Sequence, residues 1–423
     1  MTDAALSPAA PAAPARPASS ANLAAGVRIT EIDMLRGLVI VLMALDHVRD
    51  YFHAGAFTFN PLDPEQTTPW LYVTRWITHL CAPAFVFLAG VSAYLQFAKG
   101  KTAPKLSAFL LTRGLWLIVL EATVLSFGWS FGFPYVLFLQ VIWAIGWSMI
   151  ALAALVWLPR MAVLIIGLTI VAGHNLLDPI NARDLGQFAL LWTFLHDGGP
   201  IFIGQQPIGL IAYPALPWIG VIAAGYGMGA LFTREPARRD RTIFLLGIAM
   251  LAAFFVLRWF MAYGDPQFAT GPEAVARDWR EQTSIGAALM VFFDVQKYPP
   301  SLQFLLATLG VVFVLWPLLA RLRGPIASVL STFGAVPFFF YVLHIYLVHL
   351  LSIAANAVAG HPTAGLFNYM LNVFTAPQLF HGVGFSLPWV YVAWIVVLAL
   401  LYPACRWWQA LKARRRDWWL SYL

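Results

Sequence analysis

Charge is what this sequence has least of. Only 11% of its 423 residues are Asp, Glu, Lys or Arg, against about 25% in an ordinary soluble domain. That shortage excludes a soluble globular chain. A hydrophobic content of 61% and a mean hydropathy of +0.74 point instead to a chain whose solvent is lipid. Cysteine is nearly missing too. Cys81 and Cys405 lie in separate apolar segments, near opposite membrane faces in the topology below, so no disulfide is expected between them. There is no Walker loop, no GxGxxG after a strand, no HExxH, no CxxC pair and no GxSxG. Nothing reads as a metal cage, and no metal is expected. The net charge of +7 is no nucleic-acid signal here, because Lys and Arg of membrane proteins collect in cytoplasmic loops.

What is present is a series of long apolar runs. Hydropathy places ten spans at 35–53, 71–97, 107–127, 134–157, 161–178, 207–232, 241–262, 301–320, 335–358 and 386–408. The expected fold is an all-α polytopic membrane protein, a single bundle of about ten transmembrane helices. Two further apolar stretches, 185–204 (broken by HDGGP) and 284–295, read as short interfacial or re-entrant helices. Residues 1–27 read as a disordered Ala/Pro-rich tail without a signal-peptide core. Residues 28–411 read as the transmembrane domain and 412–423 as a short basic and aromatic tail. With the N-terminus inside, 17 Lys and Arg fall in cytoplasmic segments and 4 in outer loops, which predicts both termini in the cytoplasm. GYGMG (Gly225 to Gly229) has the spacing of close helix packing.

The remaining five basic residues, Arg36, Arg49, Arg75, Arg113 and Arg258, lie inside spans. The first span, LRGLVIVLMALDHVRDY, is the most heavily charged. At 100° per residue, Arg36 and His47 point within about 20° of each other and sit about 16 Å apart along the axis. Asp33 and Asp50 fall on the same side. Snorkelling of Arg36 and interfacial anchoring of His47 to Asp50 is the plain reading. Four ionisable groups on one face exceed what anchoring needs, and they suggest the wall of a polar tunnel. In the second span Arg75 and His79 are i, i+4 neighbours at the depth of His47. Arg113 and Glu121 share a face in the third span. His344 lies mid-membrane, His174 and Asp178 end the fifth span, and the FDVQKYPPS loop supplies Lys297 and Tyr298.

RITEIDMLRGLVIVLMALDHVRDYF followed by THLCAPAFVFLAGVSAYL resembles the bacterial membrane proteins related to heparan-α-glucosaminide N-acetyltransferase. LLTRGLWLIVLE, QVIWAIGWSMI, AYPALPWIGV, KYPPSLQFLLATLG and FYVLHIYLVHL are similar to the same group, so the resemblance covers roughly residues 28–405. The Arg36-to-His47 spacing is also similar to that of the acyltransferase-3 family. These resemblances imply a multi-helix bundle, acetyl-CoA as acyl donor, a sugar acceptor and a His-dependent transfer. Against acyltransferase-3 proteins, Arg36 and His47 match the paired functional residues. Against the heparan enzyme, the His47 position resembles an Asn, and that enzyme's histidine context is nearest to YFHAGAF here, which nominates His53. His79 has no clear histidine counterpart there.

The expected activity is transfer of an acetyl or short acyl group to a hydroxyl or amine of an envelope glycan, in a bacterial inner membrane. The expected catalytic set is His47 as general base, Asp50 orienting it, and Arg75 or His79 stabilising the oxyanion, with His53 as the competing histidine. Arg36, Asp33, Lys297, Tyr298 and His344 are the expected donor-binding set. Expected partners are membrane lipid, acyl-CoA and a glycan or other small polar acceptor, with no nucleic acid and with a homo-oligomer left open. A proton-coupled transporter or flippase is the alternative, since buried Asp, Arg and His also build proton relays. A scaffold subunit fits the buried charge least.

Overall fold

The computed structural model describes residues 29–265, 278–415, 417 and 420. The expected tail at 1–27 and Arg277 lie outside the described residues.

The first helix, α1 (Thr30–Phe52), holds the centre of the bundle, with sixteen of its 23 residues buried. Glu31 and Asp33 in its first turn and Arg49 in its last complement the helix dipole. Because α1 faces other helices rather than lipid, it tolerates charge that a peripheral span would not. Then follow α2 (Pro69–Ile77), α3 (Cys81–Ala98), α4 (Ala103–Leu120), α5 (Ser126–Ser130), β1 (Leu137–Leu139), α6 (Val141–Leu155), α7 (Arg160–Gly173) and α8 (Ala189–Trp192). After β2 (Gly199–Ile203) and β3 (Gln206–Ile211) come α9 (Ala215–Met228), α10 (Pro236–Trp259), α11 (Ile285–Phe293), α12 (Leu302–Arg321), α13 (Pro325–Ala335), α14 (Pro337–Val358), α15 (Tyr369–Thr375) and α16 (Leu387–Arg414). Among the described residues, eight helices are long and apolar enough to cross a membrane, and the chain is a multi-pass membrane protein. The other two expected spans are also helical. Its charges set α1 apart from the eight, and α6 lacks the 3-10 turn that carries α7 and α9 to spanning length.

The bundle sorts by burial. The most apolar window of α9 is 78% buried, whereas those of α10 and α16 are 22% and 17% buried, so α9 is internal and α10 and α16 are peripheral. The α3–α9 crossing uses Gly90 and Gly225, where a Cβ would collide with the Ile222 and Phe87 carbonyls respectively. GYGMG is therefore a packing motif.

Three features depart from the sequence expectation. Residues 137–139 and 206–211 are strands, so two expected spans begin late, at Val141 and Ala215. A short apolar run cannot be told from a helix segment by hydropathy alone. The strands form a three-stranded sheet in the order β1-β3-β2, with β1 parallel and β2 antiparallel to β3. Next, α13 was not expected. It crosses α1 so closely that a Cβ on Gly37 would overlap the Leu330 carbonyl, and one on Gly334 the Asp33 carbonyl. Finally, α16 runs on to Arg414, so the basic tail expected from 412 starts inside a helix.

Substituting Gly334 with Leu is expected to force α1 and α13 apart and to cost about 1–3 kcal/mol, the usual range for overpacking. Chemical unfolding in detergent is the measurement. Unchanged stability would mean that the crossing yields easily.

Candidate functional site

Two cavities lie at the two ends of α1. The larger, about 2080 Å³, opens around Arg36 and Asp33. Its wall gathers the starts of α1 and α10, the ends of α3 and α12, and α13. Arg36, Lys99, Arg234, Arg238, Arg239, Arg241 and Arg323 line it against three acids, Glu31, Asp33 and Glu235. Arg36 pairs with Asp33 at 3.6 Å and donates to the Ser92 hydroxyl. This basic end collects residues that the sequence scatters over more than two hundred positions.

The smaller cavity, about 560 Å³, holds Asp46, His47, Asp50, Arg75, Lys297 and Tyr298. The sheet supplies part of its wall: Phe138 and Gln140 come from the β1 edge, Ala212 and Tyr213 from just past β3. Trp129 and Tyr369 add aromatic faces, with the Trp129 ring edge-on to His47 at 5.1 Å.

His47 is held by another helix. Its Nδ1 lies 2.6 Å from Nε2 of His344 on α14, and the rings stack at 4.9 Å. The Nδ1 of His344 in turn faces the carbonyls of Tyr341 at 2.6 Å and Phe340 at 3.2 Å. Carbonyl oxygens only accept, so His344 Nδ1 must carry hydrogen. In the neutral pair His344 Nε2 then accepts, and His47 Nδ1 donates to it. That assignment follows from the network and leaves the basic lone pair of His47 on Nε2, the nitrogen available to the cavity.

Beside it sits a buried ionic cluster. Arg75 Nη1 donates to both oxygens of Asp46 at 2.7 Å, and Arg49 Nη2 donates to Asp46 at 2.9 Å and to Asp50 at 2.6 Å. Lys297 Nζ stands 4.0 Å from Asp46 Oδ2 and 5.1 Å from the centre of the Tyr298 ring. Desolvation would raise the Tyr298 phenol, but Lys297 and Arg75 outweigh it and hold it below its ordinary value.

Of the ten residues expected at the site, His47, Asp50, Arg75, Lys297 and Tyr298 meet in this cavity. Asp33 and Arg36 line the other one. His344 lies behind His47 rather than on the cavity wall, and it takes the orienting place expected of Asp50, whose carboxylate is bound to Arg49. His79 lies off the cavity wall. A 3-10 turn (Thr78–Leu80) joins α2 to α3, and His79 lies in it. His79 is fully buried, edge-on to Phe304 at 5.4 Å, and is not a lining residue. His53 caps the short helix Ala54–Phe57, its Nδ1 accepting from Gly55 N at 3.1 Å. The stripe read as a tunnel wall carries a cavity at each end. Ile40 and Met43, on the stripe between Arg36 and His47, are buried, and the two cavities share no lining residue among those described.

Sequence reasoning passed over Asp46 and Arg49 as site residues, although they flank His47. Their direction on the wheel is 100° and 200° from His47, and only the partner Arg75 brings Asp46 into the site. Glu121 and Arg258, also buried, have other work. Glu121 accepts from Trp143 N at the start of α6. Arg258 binds Asp265 and the carbonyls of Val291, Phe292 and Asp294.

The family model for heparan-alpha-glucosaminide N-acetyltransferase, catalytic, matches residues 28–262. The chain belongs to this family. The matched segment carries α1, both ends of the Arg36–His47 stripe, Asp46 and Arg75, and membership brings membrane acetyltransferase activity in general. Lys297 and His344 lie beyond it. No curated protein matches the chain.

Proposed function

We propose that this protein transfers an acetyl or short acyl group from acyl-CoA to a hydroxyl or amine of an envelope sugar, with His47 as general base. The observation that carries this reading is the His344–His47 pair, which directs one basic nitrogen at a polar cavity. As the acceptor oxygen or nitrogen bonds to the thioester carbonyl carbon, His47 Nε2 takes its proton, and the imidazolium charge is shared towards His344 and its carbonyls. Lys297 and Arg75, both on the cavity wall, stabilise the developing oxyanion. The carbon–sulfur bond then breaks, and the thiolate takes the proton from His47.

The Arg-rich cavity is the natural seat for the donor's phosphates, because guanidinium groups bind phosphate oxygens in bidentate fashion. From there an extended thioester arm has about 16 Å of α1 to cover, and Ile40 and Met43 must give way to it. The family, the basic end of the bundle and the Lys/Arg distribution support a bacterial inner-membrane protein with both termini in the cytoplasm and donor entry from that side.

The test is acyl-CoA turnover by the purified protein with an envelope glycan extract, together with thermal stability against coenzyme A. Stabilisation by coenzyme A at micromolar concentrations supports the reading. Protonophore-sensitive solute uptake without such stabilisation would favour a transporter and overturn it. The double charge reversal Arg234→Glu/Arg238→Glu is expected to raise KM for acyl-CoA about tenfold or more with kcat little changed, the signature of lost ground-state binding.

A further inference from the structure

His174, Asp178 and His196 form a second cluster that the transfer chemistry does not use. His174 opens the 3-10 turn His174–Leu177 that ends α7, Asp178 follows it, and His196 lies in the π turn Thr193–Asp197 after α8. One ligand atom from each lies within 4.8 Å of the others. His196 Nε2 is 3.4 Å from Asp178 Oδ1, about the spacing of two ligands on a tetrahedral zinc with bonds of roughly 2.0–2.1 Å.

The surroundings orient these atoms as the outer partners of a metal site do. Asp197 Oδ1 meets His196 Nδ1 at 3.2 Å, so Nε2 is the nitrogen turned to Asp178. Nε2 donates to the His174 carbonyl at 3.1 Å, so a metal ion would bind there in exchange for that proton. Asn175 donates to Asp178 Oδ2 at 2.9 Å, and the buried Oδ1 faces His196 Nε2 at 3.4 Å. His174 is 2% exposed, and neither ring nitrogen makes a hydrogen bond of normal geometry, although the Pro300 carbonyl lies near. Buried polar atoms left this way are costly unless something binds them.

We propose that His174, Asp178 and His196 bind a divalent zinc ion, with water in the fourth position. Two imidazoles and one carboxylate are ordinary zinc ligands. The ion would join α7 to the turn that leads into β2. Asn175 also accepts from Leu302 N at 2.9 Å, which ties the cluster to the start of α12 and to the loop bearing Lys297 and Tyr298. The site thus lies behind the loop that carries Lys297 and Tyr298, and it stands whether or not acyl-CoA is the donor.

The experiment compares full-length protein stripped with EDTA and then reloaded with micromolar zinc. Expected are one tightly held zinc per chain by elemental analysis after gel filtration and a melting temperature that rises on reloading. His174→Gln/His196→Gln should lose both effects. Asp197→Asn, which touches only the outer partner, should weaken zinc binding about 10–100-fold and serves if the double variant does not fold. Absence of retained zinc with an unchanged melting temperature would mean that His196 simply bridges Asp178 and Asp197 as an ion pair, and would overturn the proposal. So would full zinc binding by the double variant or wild-type affinity in Asp197→Asn.

Discussion

His47→Ala lowers kcat for acyl transfer by about 10²–10⁴-fold, the range for loss of a general base, while coenzyme A still stabilises the protein. The split follows from the two cavities: His47 lines the smaller one and the Arg-rich wall lies at the far end of α1. A partner variant separates base from positioning group. His344→Phe keeps a ring against His47 but removes the acceptor for its Nδ1, whose present contact is 2.6 Å. The base then loses its fixed tautomer and part of the charge sharing after protonation, so kcat falls less than in His47→Ala and its pH profile moves, with KM for acyl-CoA unchanged. Wild-type turnover in His47→Ala would remove His47 from the mechanism and return His53 to consideration.

Asp46→Ala is expected to destabilise the protein by about 3–5 kcal/mol, the cost of leaving a buried ion-pair network without one partner. Asp46 is the acid on which Arg75 and Arg49 converge, with Lys297 at 4.0 Å. Removing it sets three cations around a buried void with only Asp50 to offset them. The isosteric Asp46→Asn should lose most of the same stability, since charge rather than volume is at stake. Unfolding in detergent, followed at fixed pH, measures both. A loss below about 1 kcal/mol in Asp46→Ala would mean that water reaches the cluster and screens it as it does at a surface.

Much of this was legible beforehand, for reasons that lie in single segments. The charge deficit and the length of the apolar runs require a helical membrane bundle, because backbone polar groups in lipid must be satisfied internally. The stripe on α1 was readable because helical periodicity is local: Arg36 and His47 do lie at two depths of one helix. Lys297 and Tyr298 were legible because two prolines pin their loop close to the membrane surface. Where the reading failed, it assumed regular geometry. The runs at 137–139 and 206–211 are as apolar as the helices they precede. The shortness of α13 and its close fit against α1 through Gly37 and Gly334 have no hydropathy signature at all.

The sequence by itself determined that this is a polytopic helical membrane protein with ionisable groups on the inner face of its first helix, since composition and period need no partner to be read. Only the tertiary structure decided what those groups do. The pairing of His47 with His344 joins residues 297 positions apart, and that of Asp46 with Arg75 depends on how α1 and α2 approach. Hydrogen bonds and ion pairs act over a few ångströms in space, and separation along the chain does not encode that distance.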